Sequence, residues 1–462
     1  MSVSRISRAL LLGLTTTLVV ACGQDSDDND NNNVAFASTY KPVAAKPVLI
    51  KNAHILIGNG EEMENGSILL MDGIVAAVGG KIRAPRDTVE IDAKGKWVTP
   101  GIIDNHSHLG VYASPGVRAH SDGNEMTSPN TANVWAEHSV WPQDPGFAAA
   151  LAGGITSLQI LPGSANLFGG RSVTLKNVPS RTMQGMKFPD APHGLKMACG
   201  ENPKRVYGEG KGRAPGTRMG NVAGYRKAWI AAQKYQKKLN AHAAGSGDRP
   251  DRDLGLETLA GVLNGEILVH NHCYRADEMA VMIDLAKEFD YKITSFHHAV
   301  EAYKIGDLLA EADICASMWA DWGGFKMEAF DDVRENIPMV ANAGACAIVH
   351  SDSAVGIQRL NQEAAKAMAA GKRVGLLFDE ADAIRWLTYN PAKSLGIEAK
   401  TGSLENGKMA DLVVWNTNPF SVYAQAEKVY IDGVLMYDRF NTAHQPVSDY
   451  VLGHRAENGG AK

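Results

Sequence analysis

The sequence lacks several features that identify common protein classes. Its 462 residues contain five cysteines and no Cys-x-x-Cys pair, so paired cysteines offer no ready metal or redox site. The formal net charge is only −5, which gives no electrostatic reason to expect a nucleic-acid partner. The apolar run at residues 9–20 is too short to span a bilayer as a stable helix. What remains is an ordinary globular composition, 45% hydrophobic and 21% charged, in a chain long enough for two domains.

The N-terminus has the pattern of a targeting segment. Basic residues precede the apolar run, which ends in Val-Val-Ala-Cys at Cys22 and resembles a bacterial lipobox. We therefore expect residues 1–22 to be a lipoprotein signal peptide, with a plain secretory signal as the alternative. Gly23 favours the outer membrane, so we expect an envelope protein held in the periplasm by lipidated Cys22, its only membrane contact. Residues 23–46 begin with an Asp/Asn-rich stretch and are predicted to be a disordered tether.

The remaining four cysteines are spread along the chain at Cys199, Cys273, Cys315 and Cys346. Three of them lie in apolar, strand-like runs, so we predict buried free thiols, although an exported protein would permit disulfides. Cys273 follows His272 directly, which leaves a ligand or nucleophile role open for it.

The two ends of the folded region share a β character that the middle lacks. Asp72-Gly73 and Asp432-Gly433 each stand between apolar runs, which is a strong hairpin signal. The sequence therefore predicts one small β-sandwich domain built from both termini, residues 47–97 and 399–440.

Residues 98–398 alternate between strand-like and helix-like patterns, which is typical of a parallel sheet. This predicts an α/β domain with the (β/α)8 TIM-barrel fold, in which active sites lie at the carboxyl ends of the strands. The segment at 171–176 is the weakest strand and could be a hairpin excursion. The eight predicted strands are 98–108, 155–161, 172–176, 194–199, 267–272, 292–298, 313–318 and 345–352.

Histidines mark the ends of these strands. His106 and His108 end the first strand two residues apart, so both imidazoles point the same way and can bind one cation. A His-x-His pair alone is often a surface accident. Further candidates, however, end other strand-like runs at His270, His272, His297, His298 and Asp352.

Several motifs resemble one known family. Residues 98–108 read Val-Thr-Pro-Gly-Ile-Ile-Asp-Asn-His-Ser-His, and residues 390–396 read Asn-Pro-Ala-Lys-Ser-Leu-Gly. Residues 402–415 and the segment Gly-Glu-Asn-Pro-Lys-Arg at 200–205 complete the pattern. Between residues 48 and 436 the chain resembles the amidohydrolase superfamily, in its imidazolonepropionase-like branch.

The resemblance implies a role for each candidate. His106, His108, His272 and His298 match metal ligands, and Asp352 matches the catalytic acid of the eighth strand. His270 lies two residues before the position that matches the ligand, so we expect it to have a supporting or structural role. His297 is expected to point to the other face, packed or hydrogen-bonded, and His350 is a further candidate to line the barrel.

One further ligand position has two candidates. Some members of the superfamily bridge two metals with a carboxylated lysine and others use a glutamate. We favour Glu201, which follows a strand in a loop that could reach the barrel mouth, over Lys196, which lies inside the strand. A salt bridge from Glu201 to Lys204 or Arg205 is the alternative. Whether the site holds one divalent ion or two depends on which residue is the ligand. We expect the ion to be Zn²⁺.

The implied activity is hydrolysis of a carbon–nitrogen bond in a small molecule, such as an amide or cyclic amide. A metal-activated water would attack, with Asp352 as general base. A dipeptidase, a deaminase and a non-catalytic solute-binding lipoprotein are the alternatives, and self-association stays open. Arg205, Tyr207 and Arg218 are candidate substrate contacts, and Trp319 and Trp322 a candidate apolar wall.

Overall fold

The computed structural model of the protein describes residues 35–445. The signal peptide, Cys22 and most of the tether lie outside this range and stay predictions. The tether predicted over residues 23–46 is too long, because Ser38 Oγ donates to the carbonyl of Lys187 at 2.6 Å and Tyr40 donates to Asp432. No helix of residues 35–445 is long and apolar enough to cross a membrane.

Both ends of the described chain form one small β domain. Strands β5 (Trp97–Pro100) and β14 (Leu412–Trp415) pair in antiparallel fashion, with Trp97 opposite Trp415, and this pairing joins the two ends. The sheet order is β16-β15-β14-β5-β1-β2-β3, and β4 pairs with β1. The strands are β1 (Val48–Leu56), β2 (Glu62–Met71), β3 (Ile74–Gly79), β4 (Val89–Asp92), β5 (Trp97–Pro100), β14 (Leu412–Trp415), β15 (Ala426–Ile431) and β16 (Val434–Asp438).

The middle of the chain forms the barrel, whose eight strands lie side by side in chain order. The predicted fold class, a (β/α)8 barrel with a β domain from both termini, is confirmed. The barrel strands are β6 (Ile102–Ser107), β7 (Ile155–Ile160), β8 (Phe168–Lys176), β9 (Gly194–Ala198), β10 (Leu268–His272), β11 (Ile293–His297), β12 (Cys315–Met318) and β13 (Cys346–Val349).

One barrel strand departs from the parallel arrangement. Strand β8 runs antiparallel to both β7 and β9. The connection at residues 161–167 contains no helix, and a crossover to a parallel strand needs about a dozen residues or more. The chain therefore turns straight back, and the segment at 171–176 belongs to a hairpin, as the sequence analysis allowed.

Helices surround the barrel. Helix α1 begins where the Asp144 carboxylate accepts a hydrogen bond from the N–H of Gly146 at 2.9 Å, which is a typical N-terminal cap. The helices are α1 (Pro145–Ala152), α2 (Glu201–Lys204), α3 (Arg218–Ala243), α4 (Leu254–Leu263), α5 (Ala276–Phe289), α6 (Gly306–Glu311), α7 (Asn336–Asn342), α8 (Leu360–Arg373), α9 (Glu380–Ile384) and α10 (Tyr389–Ser394).

A buried cluster of charges joins the barrel to the β domain. Lys176 of β8 is fully buried, and its Nζ lies 3.3 Å from Asp411 and 2.6 Å from Asp432. Tyr40 donates a hydrogen bond to the same Asp432 carboxylate. The lysine thus compensates two buried carboxylates that would otherwise be desolvated and unpaired.

We expect Lys176→Met to lower the free energy of unfolding by about 3–5 kcal/mol, because it leaves buried carboxylates uncompensated. The matched control is Lys51→Met, since Lys51 pairs with Glu90 on the surface at 2.5 Å. That change is expected to leave the free energy of unfolding nearly unchanged, because the pair is exposed to solvent. Urea denaturation of the three proteins measures both values, and equal stability of the two variants would contradict the account.

The four downstream cysteines are disulfide-bonded, so the prediction of buried free thiols is wrong. Cys199–Cys273 and Cys315–Cys346 have Cα–Cα distances of 5.3 Å and 4.4 Å. The reason is strand register: Ala198 lies opposite His272 in β9 and β10, so the next residues on each strand are the two cysteines. Cys315 and Cys346 are direct partners in β12 and β13.

Replacing either cysteine pair with serine is expected to lower the free energy of unfolding by about 2–4 kcal/mol. The loss should be larger for Cys199/Cys273, because that bridge closes a sequence separation of 74 residues against 31 for the other. Denaturation with and without reductant measures both effects. A double-serine variant as stable as the oxidised parent would show that the bridge contributes nothing.

Candidate metal centre

Three histidine side chains converge on one carboxylate at the carboxyl end of the barrel. Asp352 Oδ1 lies 3.2 Å from His108 Nε2 and 3.5 Å from His106 Nε2. His298 Nε2 approaches the other carboxylate oxygen at 3.8 Å. His106 and His108 come from the end of β6, His298 follows β11 and Asp352 follows β13. The barrel therefore collects these residues from distant parts of the sequence.

His272, the fourth predicted histidine ligand, lies beside this group. Its ring centroid is 4.9 Å from that of His298. Its Nδ1 is buried and has no hydrogen-bond partner among the described residues, while Nε2 lies 3.4 Å from the side-chain amide of Asn202. An unpartnered, buried imidazole nitrogen beside other histidines fits a metal ligand, because such an atom otherwise bears a desolvation cost.

The backbone turns sharply at two of these residues. His298 and Asp352 have φ values of 56° and 49°, in the left-handed region that residues other than glycine rarely adopt. Such strain costs about 1–3 kcal/mol and concentrates at functional sites. His297, which we expected on the opposite face, lies opposite His272 in the β10–β11 register and therefore faces inward. The strand alternation ends before His298, so both histidines face the barrel interior.

A chain of hydrogen bonds supports His106 from inside the barrel. His106 Nδ1 lies 2.8 Å from His297 Nδ1, and His297 Nε2 lies 2.9 Å from His270 Nδ1. The side-chain amide of Gln159 lies 3.2 Å from His270 Nε2. His270 therefore contacts another histidine rather than the carboxylate. On the other side, His108 Nδ1 donates to the carbonyl of Leu161 at 2.8 Å, which directs Nε2 toward Asp352.

The loop that carries Asp352 is tied to the first barrel strand. Asp104 is buried, and its carboxylate accepts from the N–H groups of His106 at 3.1 Å and Ser351 at 3.2 Å. Burial raises the pKa of Asp104 to about 7. The N–H of Asp352 itself donates to the carbonyl of His106 at 3.1 Å. These bonds bridge the last and first strands, and sequence reasoning did not single out Asp104.

Lys196 and Glu201, the two candidates for the further ligand position, lie in different surroundings. Lys196 is buried, and its Nζ lies 3.4 Å from His106 Nε2. Glu201 instead pairs with Lys326, at 3.2 Å. Lys196, rather than the favoured Glu201, is therefore the candidate whose side chain lies beside a predicted ligand. Helix α2 begins at Glu201 and directs this side chain toward the loop of Lys326.

Burial sets the charge state of the cluster. It lowers the pKa values of His106, His272 and His298 well below the ordinary range, so these rings are neutral at pH 7 and able to bind a metal. Burial also lowers the pKa of Lys196, to about 7. For Asp352, burial raises the pKa, but the contact with His108 and the nearby His350 and Lys196 outweigh it and leave the pKa below its usual value. The carboxylate is therefore ionised.

A second group of ligand atoms lies deeper in the barrel. Nitrogen atoms of His106, His297 and His350 lie within 4.8 Å of one another, as do the ligand atoms of His106, His108 and Asp352. His350 Nε2 lies 2.8 Å from His298 Nδ1. His350 therefore lines the barrel, as its spacing from Asp352 suggested.

Two of the three predicted substrate contacts are engaged elsewhere. Arg218 binds Glu278 at 2.9 Å and also binds Glu328. The Tyr207 hydroxyl donates to the carbonyl of Ser128 at 2.6 Å, so it fixes a loop. Arg205 is exposed and makes no ion pair with another described residue.

A (β/α)8 barrel whose strand ends gather neutral histidines and a carboxylate is the architecture of a metal-dependent barrel enzyme. The sequence profile of the Amidohydrolase family matches residues 194–436. The chain belongs to the amidohydrolase family, and it is a hydrolase acting on carbon–nitrogen bonds. Its histidine-rich centre fits the divalent metal that the superfamily typically binds.

Individual relatives support this assignment. Amidohydrolase tasK from Hapsidospora irregularis is 32% identical over 438 residues, which cover 86% of this chain and 44% of that protein. The chain thus spans less than half the length of that relative. Imidazolonepropionase from Mesorhizobium japonicum is 24% identical over 407 residues, 83% of this chain and 91% of that protein. The crystal structure of an amidohydrolase from Thermotoga maritima has 38% identity and a TM-score of 0.78, covering 85% of this chain and all of that one.

Proposed function

We propose that the protein hydrolyses amide or cyclic amide bonds of a small molecule with a divalent metal, preferably Zn²⁺. The observation that carries this proposal is the convergence of His106, His108 and His298 on Asp352, with Nε2 to carboxylate distances of 3.2–3.8 Å. Together with His272, they supply the nitrogen and oxygen ligands that zinc prefers.

A metal held by these residues would lower the pKa of a bound water and polarise the scissile carbonyl. Asp352 would carry out the proton transfer. Its carboxylate is ionised and faces the same space as the histidine nitrogens, so it can accept a proton from the attacking water and deliver it to the departing nitrogen. The hydrogen bonds from Ser351 and His106 to Asp104 keep the Asp352 loop in register during this transfer.

Lys196 is the residue that would allow two metal ions. Its lowered pKa gives a substantial fraction of neutral amine at pH 7, and only the neutral amine can add CO2. That addition forms an N–C bond and releases one proton, and the resulting carbamate offers two oxygens beside His106. We therefore infer a carboxylated Lys196 and a pair of metal ions.

The test combines metal removal with a substrate screen. Chelated protein should lose hydrolysis of amides and cyclic amides, and added Zn²⁺ should restore it. Metal analysis of the purified protein should find about two ions per chain, as the carbamate proposal requires. Full activity after verified removal of all metal would contradict the proposal.

We also infer export to the cell envelope with a lipid anchor at Cys22, a small-molecule substrate and no nucleic-acid partner. Two disulfides among the described residues support an oxidising compartment, where such bonds persist. Cys22→Ser should abolish labelled palmitate incorporation and release the protein from membranes. Unchanged membrane fractionation of this variant would refute the anchor.

A further inference from the structure

Four aromatic rings extend outward from the metal centre on one side of the barrel mouth. Trp319 stacks on His298 with ring centroids 4.5 Å apart. Tyr274 and Phe325 lie 6.4 Å and 5.8 Å from the Trp319 centroid, and Trp322 stacks on its outer side at 5.8 Å. We call these four residues the aromatic wall. It begins at a predicted metal ligand and ends in solvent.

The outer half of the wall is exposed although it is apolar. Phe325 is 57% exposed and Trp322 is 42% exposed, whereas Tyr274 and Trp319 are buried. Large aromatic surfaces beside a polar centre are typical of ligand sites rather than of ordinary loops. The wall therefore offers a stacking surface to an aromatic or large apolar group on a molecule bound at the metal centre.

A cationic group lies against the same wall. The Lys326 ammonium lies 4.2 Å from the Tyr274 ring centroid, and it donates to Asn202 Oδ1 at 3.1 Å. The Asn202 amide in turn lies 3.4 Å from His272 Nε2. Lys326 is thus two hydrogen bonds away from a predicted metal ligand. This also gives a purpose to the Gly-Glu-Asn-Pro-Lys-Arg motif, which contains both Glu201 and Asn202.

The donors of Lys326 are only partly used. An ammonium has three donors, and the described residues that bind it are Asn202 and Glu201. Burial lowers the pKa of Lys326. Arg205 follows Glu201 by four residues in a continuous helical segment, so its side chain shares the helix face on which Glu201 pairs with Lys326 at 3.2 Å. Because Arg205 makes no ion pair with a described residue, the two cations together can accept an added carboxylate.

We propose that the aromatic wall, Lys326 and Arg205 form a subsite for a carboxylate-bearing amide with an aromatic or large apolar group, such as an N-acyl aromatic amino acid. This inference rests on the proposed hydrolase function, and it names the class of substrate. The carboxylate binds the two cations, the side chain packs on the wall, and the amide carbonyl faces the histidine cluster.

Binding to the metal-loaded enzyme tests the subsite without requiring turnover. The probes are 3-phenylpropionate, 3-phenyl-1-propanol, which lacks the carboxylate, and propionate, which lacks the ring. We expect 3-phenylpropionate to bind at least about 10-fold more tightly than either truncated probe, because hydrogen bonds to charged groups and ring burial both contribute. Equal affinities would overturn the proposal.

Variants separate the subsite from simple binding of a carboxylate to the metal. Lys326→Met should weaken 3-phenylpropionate about 10–100-fold and leave 3-phenyl-1-propanol unchanged, while Lys326→Arg should retain affinity. Phe325→Ala should weaken both aromatic probes about 3–10-fold. Lys51→Met, on the β domain, is the matched control. An unchanged affinity in Lys326→Met would assign the carboxylate to the metal and overturn the subsite.

Hydrolysis then distinguishes the two proposals. N-acetyl-L-phenylalanine should exceed N-acetyl-2-phenylethylamine and N-acetylglycine in kcat/KM by about 10-fold or more. Hydrolysis of amides without this preference, together with equal probe affinities, overturns the subsite and leaves the hydrolase function intact. The expected binding pattern without hydrolysis of any amide supports the subsite and contradicts the proposed function.

Discussion

Asp352→Asn is expected to lower kcat about 10²–10⁴-fold, which is the usual cost of removing a general base. The substitution keeps the shape of the side chain and removes its ability to accept a proton. Metal content should fall much less, because histidines supply most of the ligands. The measurement is kcat, metal stoichiometry and melting temperature on one preparation of the variant.

A structural role for Asp352 predicts a different pattern. Its carboxylate lies 3.2 Å from His108 and 3.5 Å from His106, so it could serve chiefly to orient these rings. In that case Asp352→Asn would lose metal or stability in proportion to its loss of activity. Near-normal turnover with a full metal complement would end the general-base assignment.

Lys196→Met is expected to have the second large effect. We expect it to remove one of two metal ions and to lower kcat/KM at least about 100-fold, since even residues that only support metal ligands cost about 10–100-fold. Lys196 Nζ is buried 3.4 Å from His106 Nε2, so we expect its loss to change the metal centre directly. Metal analysis, steady-state kinetics and mass spectrometry of native protein for an added CO2 measure the outcome.

Two further variants sharpen this test. Lys196→Glu supplies a carboxylate without CO2 and should recover part of the metal content. Glu201→Gln removes the residue that the sequence favoured, and its carboxylate pairs with Lys326 rather than with the histidines. It should keep both metal ions. Loss of one ion in Glu201→Gln but not in Lys196→Met would reverse the assignment.

The sequence predicted the barrel because its signals are local. Apolar runs of strand length alternate with helical patterns, and His106, His108 and Asp352 each stand at or just beyond the end of such a run. In a barrel these ends meet at one face, so their convergence required no knowledge of detailed contacts. The hairpin at Asp72-Gly73 likewise follows from two residues alone.

The remaining features depend on register and burial, which a single sequence does not specify. The bond between Cys315 and Cys346 follows from their direct pairing in β12 and β13. His297 faces inward because it lies opposite His272, and His298 also faces inward because its backbone is left-handed, a conformation that no pattern of apolar residues predicts. The preference for Lys196 over Glu201 follows from which side chain is buried against His106.

We propose a metal centre at the barrel mouth that is held by His106, His108, His272 and His298. Anomalous diffraction at the zinc edge, on crystals of the metal-loaded protein, tests it most directly. We expect a peak about 2.0–2.2 Å from histidine nitrogens of this group, with Asp352 beside it. A metal-replete crystal with no peak among these residues, or with its only peak elsewhere on the protein, would contradict the account.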